Sequence, residues 1–275
     1  MRTHKIFLVA GLVSLAAQSA LANEAGTFSG PFVGLHLGYG NSDLTLTAKD
    51  VPRLPTGWSY PDFGGLNTIT FDDRLKGAGG GIDAGYNWTT EDWVYGGEAS
   101  YSILSASHKD WTKADDKRQP ISPGGIISGQ DDVFSSDLQS LALLSVRLGR
   151  KLDKFLVYGR AGLAFGDYRL SALDENLAKN GSNTGNNTGG GSDKVWLTGY
   201  SVGVGGEYLV DARWSARLEY NLIKLNASNI NPGGTGCYNT GAGTAPCSGV
   251  VGPVTYNLRP EIDLQLVAFH INYRF

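Results

Sequence analysis

Bulky apolar side chains recur at every second position in eight separate stretches of this chain. In an extended strand successive side chains point to opposite faces, so each stretch offers one apolar stripe and one small or polar stripe. The last is the clearest: Val267, Phe269, Ile271, Tyr273 and Phe275 alternate with Ala268, His270, Asn272 and Arg274. The strands are expected at about 31–41, 76–88, 93–103, 136–150, 155–166, 195–209, 214–225 and 258–275. Each is close to or longer than the ~9 to 11 residues that a tilted strand needs to cross a bilayer.

The connections alternate in length. Residues 89–92, 151–154 and 210–213 make short turns, whereas every other connection runs to roughly 25 to 35 residues. That asymmetry is expected of tight periplasmic turns and long extracellular loops. The chain is therefore predicted to be all-β, a closed eight-stranded antiparallel up-and-down transmembrane β-barrel in residues 23–275, with both termini on the periplasmic side. A soluble two-sheet sandwich shares the alternation but has no reason to sort its connections by end.

Residues 1–22 read as a secretory signal peptide. Arg2 and Lys5 supply the charged start, residues 6–17 the apolar run, and Ala20-Leu21-Ala22 the small-x-small cleavage site. The run is roughly a dozen residues, short of the ~20 that a membrane helix requires. Export leads to an oxidising compartment, where Cys237 and Cys247 are expected to form a short-loop disulfide worth about 2 to 3 kcal/mol in the entropic account. The net charge of −3 becomes −5 once Arg2 and Lys5 leave, which argues against a nucleic-acid partner. The 39 glycines and the 13 Tyr, 10 Phe and 6 Trp beside a single Met suit turns and strands.

Trp88, Trp93 and Trp214 border the short turns, with Phe155 and Tyr208 at the same level. They read as an aromatic girdle at one membrane interface. If the apolar faces meet lipid, Asp83, Glu98, Arg147, Arg160, Glu207, Arg217, Glu219, His270 and Arg274 point into the lumen. Eight strands leave an interior barely wide enough for side chains, so these charges must pair. A salt-bridged plug is the favoured reading, and a narrow ion path or porin-like channel for small solutes the alternative. Glycines on the inner faces give room for large side chains to fill the interior.

No nucleophile, base and orienting group stand together, so the chain is read as non-enzymatic, with no catalytic residues. His36 and His270 face inward on the first and last strands, neighbours in a closed barrel. With no third ligand in view, no metal or cofactor is assigned, and a haem- or ligand-binding role stays the less favoured option. The connection after the first strand carries Trp58, Tyr60, Phe63 and Phe71, and the next carries Trp111. These aromatics either pack over the barrel mouth or meet a surface ligand. The stretch 180–192, rich in Asn, Gly and Ser, is expected to be a mobile loop.

Gly30-Pro31-Phe32-Val33-Gly34-Leu35-His36-Leu37-Gly38-Tyr39-Gly40 resembles the opening strand of the Omp25/Omp31-like small outer-membrane barrels of alphaproteobacteria, the opacity-like "porin family" surface antigens. Gly81 to Trp88 followed by Tyr95 to Tyr101 is similar to their second hairpin. Gly203 to Tyr208 with Leu218-Glu219-Tyr220 resembles their sixth and seventh strands, and Asn272 to Phe275 their ending. The resemblance covers the strands and none of the long loops. It implies residence in the outer membrane of a Gram-negative bacterium, a role in envelope integrity, contact with lipid and lipopolysaccharide, and exposure as an antigen. It also implies that Tyr273 and Phe275 are the signal read by the barrel-assembly machinery.

Overall fold

The computed structural model describes residues 27–49, 68–111, 132–175, 188–231, 235–238, 250–253 and 258–275. Eight strands close into one antiparallel barrel: β1 (Gly30–Lys49), β2 (Thr68–Thr90), β3 (Trp93–Trp111), β4 (Asp132–Leu152), β5 (Phe155–Glu175), β6 (Thr188–Leu209), β7 (Trp214–Asn226) and β10 (Leu258–Arg274). Two further short strands, β8 (Thr235–Tyr238) and β9 (Val250–Pro253), form a separate hairpin between β7 and β10. The ring runs β1-β10-β7-β6-β5-β4-β3-β2, so each sequential neighbour is a spatial neighbour, and the last barrel strand closes on the first.

Closure follows the alternating tail. Phe32 pairs with Arg274, His36 with His270 and Tyr39 with Val267, and the amide of Phe275 donates to the carbonyl of Pro31 at 3.2 Å. Because side-chain period is 2, this register places His36 and His270 on one face and Leu35 and Ile271 on the other.

The turns are tighter than the sequence suggested. Glu91-Asp92 and Asp153-Lys154 are two-residue hairpin connections, and residues 210–213 make the third. Glu91 and Asp153 take positive φ, 39° and 56°, at the first turn position, where a two-residue hairpin needs a backbone twist matching its strands.

At the opposite end the strands overshoot the expected boundaries. The intervening spans narrow to 50–67, 112–131, 176–187 and 227–257. Thr188 to Ser192, expected within a mobile loop, begin β6 and pair with Ser171 to Glu175. The reason is that a ladder is held by backbone groups, which Gly189-Gly190-Gly191 supply without any apolar side chain to announce a strand. Phe71 and Trp111, expected in loops, likewise belong to β2 and β3. The signal segment 1–22, Cys247, and Trp58, Tyr60 and Phe63 lie outside the described residues. Cys237 falls in the backbone of β8.

The outer face is an apolar belt. Leu35, Leu37, Ile103, Leu144, Val146, Leu163, Val204, Leu218, Phe269 and Ile271 are all exposed, Leu37 by 73%. A belt that encircles a barrel satisfied in its own backbone bonds is suited to hydrocarbon rather than water. Trp88, Trp93, Phe155, Tyr208 and Trp214 stand together at the turn end, also exposed, as expected of a girdle. Trp88 stacks on Tyr95 with centroids 5.6 Å apart, and Tyr273 meets Trp214 and Phe275 edge-on at 5.1 and 5.3 Å. Tyr39, Tyr101 and Tyr200 lie about eight or nine residues further along their strands. At ~3.3 Å per residue and ~40° tilt that is roughly 20 to 23 Å higher, near the height of a barrel's apolar band.

Candidate functional site

Inside the barrel the side chains form three layers. At the turn end Phe28, Val94, Leu156, Tyr158 and Leu209 make a buried apolar cluster. At the loop end a larger one gathers Leu44, Leu46, Leu75, Leu138, Leu141, Leu143, Leu170, Leu197, Leu225, Ile262 and Leu264, among others. Between them lie all eight charged residues expected in the lumen, none more than 6% exposed.

The arginine–carboxylate hydrogen bonds join strands that are not neighbours in the ring. Arg217 of β7 forks onto Glu98 of β3, diametrically opposite, with both guanidinium nitrogens donating, at 2.5 and 3.1 Å. Arg160 of β5 donates to Glu219 of β7 and, at 2.5 Å, to Ser145. Arg147 of β4 donates to Glu207 of β6 at 3.1 Å and to Asn87 of β2 at 2.9 Å. Arg274 of β10 also donates to Glu207, as does the Ser215 hydroxyl at 2.6 Å. Asp83 of β2 lies 3.6 Å from Arg217 and takes two histidines. Four carboxylates thus face four guanidiniums. An isolated buried ion costs several kcal/mol, so the network holds only as a set.

Aromatic faces also lie against two of the arginines. The Arg147 guanidinium sits between the Phe32 and Tyr158 rings, 4.8 and 5.3 Å from their centroids, and Arg274 lies 5.0 Å above Phe28. The Tyr158 hydroxyl donates to Glu219. Asn87 also donates to the Phe28 carbonyl at 3.1 Å, pinning the segment before β1 under the charged layer.

Inner-face glycines make this filling sterically feasible. A Cβ on Gly205 would stand 2.5 Å from Cζ and Oη of Tyr158, and one on Gly81 would stand 2.8 Å from the His36 ring. Both rings occupy space that any other residue would take.

Two groups were not evident from sequence. Phe28, Phe32 and the loop-end leucines are apolar yet inward, and alternation alone does not say which side of a wall is wet. The parity of Phe32 with His36 was the available signal. The second is the third partner of the histidine pair. His36 Nδ1 lies 3.0 Å from Asp83, His270 Nδ1 lies 2.8 Å from it, and the two rings are 5.0 Å apart. Asp83 supplies the further ligand-type group that the sequence alone did not bring into view.

At the β6–β7 turn the exposed Asp211 carboxylate accepts the backbone N–H groups of Arg213 and Trp214 at 2.7 and 2.8 Å. These two bonds favour its charged form and hold its pKa below the ordinary carboxylate value.

Comparison with known proteins places the barrel. The family model described as "Outer membrane protein beta-barrel domain" matches residues 6–243, most of the chain. The chain belongs to this family. It is similar to a 22 kDa outer membrane protein of Rhizobium leguminosarum bv. viciae, 28% identical over 67% of this chain and 72% of the relative. It is also similar to the 31 kDa outer-membrane immunogenic protein of Brucella melitensis biotype 1, 24% identical over 78% of each chain. Among solved structures it is similar to the outer membrane protein OprG of Pseudomonas aeruginosa, with a TM-score of 0.42 and 12% identity over 92% of this chain and 99% of that one. This outer-membrane barrel is thus a member of a Gram-negative envelope family, its relatives in alphaproteobacteria included. Its turn end faces the periplasm and its loop end the outside, by the general asymmetry of such barrels.

Proposed function

We propose that this outer-membrane barrel is a non-enzymatic structural element of the envelope, closed to solutes, that presents its loops at the cell surface. The observation that carries the reading is the layering of the lumen: a charged network held between an apolar floor and an apolar roof. An ion crossing it would have to pass the leucine layer without water, and a bare charge in such surroundings is costly. Ser102 Oγ, the His36 ring and Asp83 do stand in line at 2.8 and 3.0 Å, but all three are buried inside the barrel between its apolar layers, with no path for a substrate to the hydroxyl.

The outward belt and girdles are the surfaces that would meet lipid and lipopolysaccharide. Tyr273 and Phe275, outward and stacked edge-on beside Trp214, are the residues we assign as the signal to the barrel-assembly machinery. The Brucella relative is named for being immunogenic, which supports surface presentation here.

The test is genetic. A deletion strain should gain sensitivity to detergents and leak periplasmic protein, with rescue by the full barrel, while uptake of small solutes stays unchanged. An envelope as tight as the parent's, with slowed solute uptake instead, would favour the channel.

A further inference from the structure

Among the described residues, one cluster of metal-ligand type lies in the lumen, and it sits on the seam where the barrel closes. His36 of β1 and His270 of β10 are direct cross-strand partners, and Asp83 of β2 stands between their rings. One ligand atom from each of the three lies within 4.8 Å of the others. We propose that His36, Asp83 and His270 bind a divalent transition metal of the zinc class, which clips the first strand of the barrel to the last.

The geometry is close to what such an ion needs. At metal–nitrogen distances of ~2.0 to 2.1 Å, two ligand atoms of a tetrahedral site lie roughly 3.3 Å apart. The two histidine–carboxylate separations, 3.0 and 2.8 Å, are already near it. Closing the third edge takes a rotation of the two imidazoles toward each other. Imidazole with carboxylate suits zinc, cobalt and nickel better than magnesium or calcium.

Two features favour a cation over a purely hydrogen-bonded cluster. First, His270 Nδ1 lies 2.8 Å both from Asp83 Oδ2 and from Arg217 Nη2. One ring nitrogen can donate to the carboxylate or accept from the guanidinium, and it cannot do both. A metal at that point takes lone pairs from both imidazoles and from Asp83 together, leaving Arg217 to its two bonds with Glu98. Second, each histidine turns its other nitrogen to an outer partner, His36 Nε2 to Ser102 Oγ at 2.8 Å and His270 Nε2 toward Glu219 at 3.4 Å. Such partners orient metal-ligating histidines and set their tautomer.

The site is buried beneath the leucine roof, but its two histidines come from the first and last strands of the barrel. It becomes complete only when β1 meets β10, so the ion would be captured as the barrel closes.

The experiment is refolding of the untagged full-length mature chain into detergent with and without zinc, followed by chelator treatment and elemental analysis of the folded, heat-modifiable fraction. About one zinc per barrel is expected, with cobalt giving the visible spectrum of a tetrahedral site and metal raising the folded yield. His36→Gln and His270→Gln should lose the retained ion. A folded wild-type barrel that holds no chelator-resistant zinc overturns the proposal, and so does equal retention in folded histidine variants. If the variants fail to fold, the wild-type zinc content and cobalt spectrum decide. The result is independent of whether the lumen conducts.

Discussion

At the scale of single residues, the lumen charges are interdependent, and removing one member leaves its partner buried and unpaired. Glu207 receives Arg147, Arg274 and Ser215 at once. Glu207→Gln should destabilise the barrel by ~3 to 5 kcal/mol, the range for breaking a buried pair, as read by urea unfolding in lipid vesicles. A loss under 1 kcal/mol would mean that water reaches these groups. Gly205→Leu tests the filling, because its side chain must displace the Tyr158 ring; Tyr158→Ala in the same chain should restore part of the lost stability. In the periplasmic turn the Asp211 pKa is lowered by folding, so its contribution is complete above the ordinary value of ~3.9 and fades only as pH falls through the lower folded value. An NMR titration of Asp211 should give a midpoint below that of a free aspartate, and a midpoint at or above it contradicts the turn geometry. The eight lumen charges were legible in the sequence because a charged residue on the small-residue face of a strand has nowhere to point but inward. Phe28 and Phe32 were not, since an apolar side chain is welcome on either side of the wall.

At the scale of elements, alternation located each membrane-crossing segment and, through the parity of His36 and His270, the strand that closes the ring. The strand ends above the membrane escaped it. There the alternation inverts, with Leu44, Leu46, Leu75 and Leu170 inside and Asp43, Arg74 and Arg169 outside, and ladders such as Ser171–Ser192 rest on backbone bonds that carry no side-chain pattern. The β8–β9 hairpin was missed for the same reason, being short and set in a Gly-rich stretch. Exposed pairs at this end, such as Arg74–Asp43 at 3.2 Å, contribute about 0 to 1 kcal/mol and are not what holds the strands up. The turn residues matter more: Asp153→Gly removes the steric cost of positive φ at a two-residue hairpin and should leave the barrel as stable or slightly more so in the same unfolding assay. For β10, deletion of Phe275 should lower the amount of barrel in the outer membrane while leaving the refolded protein's stability nearly unchanged. Normal membrane levels of the truncated chain would count against its role as an assembly signal.

At the scale of the whole molecule, backbone ladders close the cylinder and the side chains fill its interior. The ladders tie each strand to its two neighbours, whereas Arg217–Glu98 and Arg147–Glu207 tie strands across the interior, which resists flattening of the barrel. The charged layer alone could have been a polar path. The proposed seal rests on the pair of apolar layers above and below, Leu138, Leu141 and Leu197 on one side and Phe28, Leu156 and Leu209 on the other. The bore is therefore proposed to be shut at rest. Single-channel recording of the purified, refolded barrel in a planar bilayer tests it most directly: a flat baseline at all moderate voltages is predicted, and stable, reproducible unitary currents would contradict it.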